Sequence, residues 1–498
     1  MALPTPTDLK TLDFVFLGQP FCQVPAKTAV TLAGMDYVYL GQPFVSNEGD
    51  SGPTPPVTSN IKFMSSVARA NIKAINGIPI TSIKFVAGVL AGELEYYEEV
   101  KAALGSAILA YYPLWETSGT TAEDVYNGVD ATYVGSPTFG YSGIGDFYTC
   151  PFFGSAKYVN AISISGMNMA EGFISMWAAL DDGSKYLDAN TYYLANFNSD
   201  STHGIFMRKN VAGLWSFYRR VGSTLPTSQI GTPRTTRWVH YCFCWSVAQQ
   251  KVWVYTNGSR AVYVSGTLDA MTDTLTTARF SLDFSGWTGR LAHCIVGTGI
   301  PTDDQVWTLS RSTKQVVFEG DSRSLLKQWT EKTVEDAFPS GDLAFGGCGV
   351  CSQAVSGSTI ANLITRGTTL DALIKPGVTN ALVIWIGVNS VAVGAAQIYA
   401  DMQTYIAARR AAGWNKIILC SEIDGQSSMD WHNTVWPALN ALLYADHSFA
   451  DGFADLGADA RLQNALDTTY FNADKIHLTT AGYDVVASIV SPIITGLV

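Results

Sequence analysis

The spacing of hydrophobic and polar positions changes character three times along the chain. Residues 12–21 (LDFVFLGQPF) and 35–44 (MDYVYLGQPF) each carry a short apolar run that ends in Gly-Gln-Pro. A run of this kind followed by a breaker predicts a strand and a turn. Residues 46–60, SNEGDSGPTPPVTSN, have no apolar period and predict a linker. Ile61-Lys62, Ile72-Lys73 and Ile83-Lys84 then recur at 11-residue intervals, which fits short β segments with regular turns. Units so small bury little of their own surface, so residues 1–103 are expected to pair with copies of themselves or with a larger assembly. Within them, residues 92–105 predict a short helix or spacer.

From 104 to 313 the pattern becomes period 2. EGFISMWAAL (171–180), RWVHYCFCWSVAQQKVWVYTNGSRA (237–261) and WTGRLAHCIVGTGIPTDDQVWTLSR (287–311) are alternating or apolar strands broken by Gly, Asn and Asp turns. This predicts an antiparallel β-sandwich of jelly-roll type. From 314 to 498 strands and helices alternate. Apolar runs at 315–319, 380–387 and 416–422 are separated by helical stretches at 395–413 and 432–447, and Thr479 is placed to cap a last helix. That alternation predicts a three-layer α/β domain around a mostly parallel sheet, with any site at the carboxyl ends of the strands.

Composition narrows the function. The 498 residues are 47% hydrophobic and 15% charged, so most of the chain is expected to pack into domains. The net charge of −11, without a Lys/Arg cluster, argues against nucleic-acid binding. No run is expected to span a membrane, and the start, MALPTPTDLK, does not read as a secretory signal. Eight dispersed cysteines do not form a disulfide framework. Cys242 and Cys244 share a strand face and read as core. Cys348-x-x-Cys351 has no second ligand pair and reads as structural rather than as a zinc or redox motif.

The chemistry concentrates in the last third. In VVFEGDSRSLLKQW (316–329) a strand ends at Gly320-Asp321-Ser322 and a helix-like segment follows. Gly, Asp and Ser suit any turn. A serine at that edge, beside backbone N–H groups and a helix start, is also positioned as a nucleophile. Serine needs a base, and His477 can serve near neutral pH. Asp474, three residues earlier, can hold the imidazole in one tautomer. The Ser322 N–H, a glycine N–H and the Asn389 amide can supply an oxyanion site. His432 and His447 lack such a context. His203, His240 and His293 read as structural, and NFNSDSTH (196–203) reads as a turn before it reads as a calcium loop.

Four blocks in order, FEGDSRS, QAVSGSTIANL, IWIGVNS and DKIHLTTAGY, resemble the SGNH/GDSL hydrolase family over residues 314–498. The resemblance implies Ser322 as nucleophile, His477 as base, Asp474 as orienter, and Ser322, Gly357 and Asn389 as oxyanion donors, with no cofactor and no metal. The first block lacks the Leu of the GDSL name, and the third has Ser where many members have Asp. The middle region resembles concanavalin-A-like/laminin-G-like lectin domains through Tyr112-Pro113-Leu114, Trp238-Val239-His240 with Trp245, and Tyr255-Thr256-Asn257-Gly258. Such domains bind carbohydrate or only space and pack, and exposure of any of Trp177, Trp215, Trp245, Trp253 and Trp287 favours the first. The whole organisation is similar to a bacteriophage tail fibre or tailspike. That implies a homotrimer docked on the virion through its N-terminus, acting on acetylated host-surface polysaccharide. The alternatives are a non-catalytic glycan-binding virion protein and a lipid or short-chain carboxylesterase.

Overall fold

A computed structural model describes residues 74–75, 78–79 and 91–498, apart from 147, 165, 187, 212, 232–234, 262–263, 266, 272–274, 281–287, 326–328 and 427–428. The repeats of 12–44 and the linker 46–60 lie outside the described residues, as does Trp287. Ala74–Ile75 and Ile78–Pro79 pair as a minimal antiparallel hairpin. A helix occupies Ala91–Leu104, where the sequence predicts one. Residues 100–498 form one compact unit. The change from sandwich to α/β at 313/314 is therefore a change of architecture inside that unit.

Among the described residues the sandwich consists of an eight-stranded and a nine-stranded antiparallel sheet. Its core is aromatic: the Tyr241 ring centroid lies 5.6 Å from that of Trp215 and 5.9 Å from that of Phe217, which lies 5.8 Å from that of Phe243. The strand Val239–Ser246 is buried at every position. Period 2 predicts one wet face for an antiparallel strand. Here helix Asp303–Ser310, at a place where the sequence predicts strand, packs against it, and the α/β part is bonded to the neighbouring segments. Asn257 donates from Nδ2 to the carbonyls of Ala344 and Cys348, both at 3.2 Å. Ser259 donates to Gln315 Oε1 at 3.0 Å. Arg237 pairs with Glu335 at 2.7 Å and donates to the carbonyls of Phe338, Ser340 and Leu343. Cys242 and Cys244 are fully buried, as a core reading expects.

Five parallel strands build the α/β sheet: β1 (Lys314–Gly320), β2 (Cys348–Ser352), β3 (Thr379–Trp385), β4 (Lys416–Cys420) and β5 (Gly452–Ala454). Their order is β2-β1-β3-β4-β5. Helices α1 (Trp329–Ala337) and α5 (Thr480–Leu497) pack together, while α2 (Ile360–Asp371), α3 (Ala395–Ala412) and α4 (Trp436–Ala445) pack in succession. This is the doubly wound arrangement in which chain direction reverses between β1 and β3, the position where such sheets open a crevice. Strand β2 contains both cysteines of the CxxC, and burial pushes their thiols up, Cys351 to about 12. Helix α5 corrects one expectation. By length and composition it is apolar enough to cross a membrane, yet Val485, Val486, Val490 and Ile494 are buried in the domain core. Thr479 caps it by accepting from the Gly482 N–H.

Glu331 in α1 is 5% exposed, and Thr330 donates to its carboxylate at 2.6 Å. Among the described residues no cation faces it, and burial pushes its pKa from 4.5 to about 7. A folded pKa above the unfolded one means that stability is lost as pH rises from about 4.5 through 7. Glu331→Gln keeps the shape without the charge. Its gain over the parent is expected to grow across that window to about 3 kcal/mol at pH 8. Urea midpoints at pH 5 and pH 8 check this, and a difference between the two proteins that does not vary with pH contradicts it.

Candidate active site

The switch point between β1 and β3 gathers the predicted groups. Gly320 ends β1 where a Cβ would sit 2.2 Å from the Trp385 carbonyl, so only glycine fits. The chain then turns through Asp321, whose carbonyl accepts from Ser324 and Leu325. The sequence predicts a helix starting at the serine. Residues 321–325 form this turn, and α1 is described from Trp329. Ser322 is half-buried, and among the described residues no acceptor takes its N–H.

His477 comes from the loop before α5. Its Nε2 lies 2.7 Å from Ser322 Oγ, and its Nδ1 lies 2.7 Å from Asp474 Oδ2. The loop is built to present this pair. Asp474 Oδ1 accepts from the N–H groups of Ile476 at 3.0 Å and His477 at 2.9 Å. Lys475 between them takes the left-handed conformation, φ 59°. Partial burial works against the Asp474 charge, but the His477 ring and the two N–H donors outweigh it and hold its pKa below the ordinary value. An ionised Asp474 accepts a hydrogen bond from Nδ1–H, which leaves Nε2 as the acceptor facing the serine hydroxyl. Ser322, Asp474 and His477 are thus assembled across 155 residues of sequence.

The oxyanion candidates follow β2 and β3, at the same carboxyl edge of the sheet as Ser322. Asn389 follows β3, is exposed, and donates from Nδ2 to the Ser358 carbonyl at 3.1 Å. Gly357 occupies the exposed turn before Ser358 with φ 74°. That turn is tied to the nucleophile by the Val355 N–H, which donates to the Gly320 carbonyl at 3.2 Å. Asn389→Ala is expected to lower kcat for ester hydrolysis by on the order of 10²–10³-fold, with KM little changed. Steady-state kinetics on p-nitrophenyl acetate check this, and an unaltered kcat removes Asn389 from the oxyanion site.

Several groups behind the site are not legible in local sequence. Arg323, 1% exposed, donates to both oxygens of Glu422 at 2.6 and 3.1 Å and to both oxygens of Asp321 at 3.0 and 2.9 Å. Glu319 accepts from Arg366, which also donates to Ser358 Oγ at 2.6 Å and to the Gly320 carbonyl at 3.0 Å. Burial pushes Glu319 up to about 7 against the pull of Arg366. The signal available in the sequence was a carboxylate at the end of an apolar strand, Glu319 after QVVF and Glu422 after IILCS. His432 does have a carboxylate partner, Asp424 at 2.5 Å, supplied from eight residues away. His447 stacks on Phe453 and faces the Leu443 carbonyl. The serine is bonded to neither.

In the sandwich, Trp177, Trp215, Trp245 and Trp253 are all buried, so none offers a face to a sugar. His240 bonds Ser175 at 2.8 Å, and His293 bonds Asp146 at 2.6 Å and Tyr111 at 2.7 Å, both inside the protein. Asp200 closes its turn onto Thr202 and His203.

No family model and no curated protein matches the chain. Solved structures similar to it include domain 4 of AbnA, a GH43 extracellular arabinanase from Geobacillus stearothermophilus, in complex with arabinotriose. That match has 15% identity over 41% of this chain and 98% of the other, with a TM-score of 0.32. The botulinum neurotoxin serotype D binding domain matches at 12% identity over 43% of this chain and 54% of its own, with a TM-score of 0.35. Trypanosoma rangeli sialidase in complex with sialic acid matches at 11% identity over 45% and 38%, with a TM-score of 0.32.

Proposed function

We propose that the chain is a serine ester hydrolase of the SGNH type that removes O-acetyl groups from a polysaccharide. The observation that carries this reading is the continuous relay from Ser322 Oγ through the His477 ring to Asp474 at the sheet's switch point. In the proposed reaction His477 takes the serine proton as Oγ attacks the acetyl carbonyl. The Ser322 N–H, the Gly357 N–H and the Asn389 amide hold the oxyanion. His477 returns the proton to the departing sugar hydroxyl, and water then releases acetate by the same steps in reverse. No cofactor enters this chemistry.

The exposed position of Asn389 and the half-buried serine support attack on a group carried by a large substrate. The repeats in residues 12–44 and 61–88, upstream of the sandwich and the ester-cleaving domain, support placement in a phage tail fibre or spike. There a homotrimer would dock on the virion by its N-terminal region and meet host glycan with the remainder. The test is acetate release from an O-acetylated bacterial polysaccharide and from p-nitrophenyl esters of increasing chain length. Acetate release from the glycan with a preference for acetyl over longer acyl groups supports the reading. Preference for long acyl chains replaces it with a lipid esterase, and no hydrolysis of any ester leaves a glycan-binding protein.

A further inference from the structure

A cavity of about 550 Å³ lies apart from the relay, between one face of α4 and the loop that follows β5. Trp436 and Tyr444 supply aromatic walls, with Asn440, Asp455, Gly457 and Gln463 around them. Tyr444 is 46% exposed and Gln463 is exposed, so both are available to a ligand. Asp455 uses Oδ1 for Ser421 at 3.0 Å, Tyr444 Oη at 2.9 Å and the Ala458 N–H at 3.1 Å. Among the described residues no donor reaches its Oδ2. Gly457 lets its loop pack closely on this wall: a Cβ there would meet Asn440 Nδ2 at 2.2 Å and the Glu422 carbonyl at 2.6 Å.

This combination is chemically specific. Aromatic faces suit the C–H side of a pyranose, and the fixed Asp455 carboxylate and the exposed Gln463 carboxamide suit its hydroxyls. The carboxylate also disfavours an anionic sugar. The position matters as much. Asp455 follows β5, and Ser322 follows β1, three strands away on the same carboxyl edge, or about 14 Å at the usual strand spacing. That is the span of a few sugar units. Asn440 also brackets Glu422, donating to its carbonyl at 2.7 Å and accepting from its N–H at 2.9 Å. Glu422 in turn holds Arg323, the residue after the nucleophile. The cavity wall and the serine turn thus belong to one buried framework.

We infer that the Trp436–Tyr444–Asp455 cavity is a subsite for a neutral pyranose unit of the substrate polysaccharide, a few residues along the chain from the unit deacetylated at Ser322. The inference deepens the esterase reading and rests on it for the identity of the polymer.

The full chain carrying Ser322→Ala is mixed with methyl glucoside, methyl galactoside, methyl N-acetylglucosaminide and methyl glucuronide, and saturation-transfer NMR reads binding. At least one neutral glycoside is expected to bind, more tightly than the glucuronide. Tyr444→Ala in the same background is expected to weaken it on the order of ten-fold, and Gln463→Ala, at an exposed position, by less. In the active chain Tyr444→Ala should raise KM for the acetylated polysaccharide by the same factor and leave kcat in place. Failure of every neutral glycoside to bind, binding that survives Tyr444→Ala unchanged, or tighter binding of the glucuronide overturns the subsite. Glycoside binding is read in a chain without the serine hydroxyl, so the subsite and the esterase reading can fail separately.

Discussion

Ser322→Ala and His477→Ala are each expected to lower hydrolysis of p-nitrophenyl acetate by on the order of 10³-fold or more, and the double variant to be no worse than either single one. The non-additivity follows from the geometry. The 2.7 Å contact between Oγ and Nε2 is one device, so removing either end abolishes it whole. Asp474→Asn should also lose activity, because an amide can donate to Nδ1 and favour the wrong tautomer. Asp474 is held below its ordinary pKa, so it keeps its charge at neutral pH and adds no titration there. The serine hydroxyl bonds only His477 among the described side chains, so thermal melting of Ser322→Ala should match the parent. A loss of rate with an unchanged melt then reports chemistry. A fluorophosphonate should label the parent once per chain and leave Ser322→Ala unlabelled. Equal rates in parent and variant, or labelling that survives the substitution, would sink the nucleophile assignment.

Whether a feature could be read from sequence depended on how far apart its partners lie along the chain. Asp474 and His477 are three residues apart in one turn, and Ser322 follows an apolar strand, so their placement on one sheet edge was readable. The sandwich strands were readable because alternation survives in them. Their environment was not: Val239–Ser246 is buried at every position because helix Asp303–Ser310 packs against it, and Trp215 and Trp245 lie in the sandwich core instead of at its surface. Strand β2 was hidden inside a CxxC, where small residues carry no period. Helix α5 has the composition of a membrane span, and in the fold it packs against α1. The charged networks were least legible of all. Arg323 meets Glu422 across 99 residues and Arg366 meets Glu319 across 47, and no local spacing announces either pair.

Arg323→Met is expected to destabilise the protein by about 3–5 kcal/mol, a large share of the total for most domains. Burial works against the Arg323 charge, but the carboxylates of Asp321 and Glu422 outweigh it and hold the guanidinium protonated. Its ring-face contact with Trp385, 4.4 Å from the centroid, adds to this. Without the cation, two fully buried carboxylates face each other with no counter-ion. Burial already pushes Glu422 up, and the variant loses the opposing pull of Arg323, so its deficit should be largest at pH 8 and shrink as pH falls toward 5. Adding Glu422→Gln should return part of the loss at pH 8, because it removes one of the stranded charges. Arg323→Lys should rescue poorly, since an ammonium cannot serve four carboxylate oxygens in one plane. Activity should fall with stability in all these variants, because Asp321 and Arg323 flank the nucleophile and the guanidinium fixes the turn that aims it. Urea midpoints for the parent, Arg323→Met and Arg323→Met/Glu422→Gln at pH 5 and pH 8 decide the matter. A midpoint for Arg323→Met equal to the parent's at pH 8 would show that the buried cation does not hold the site together.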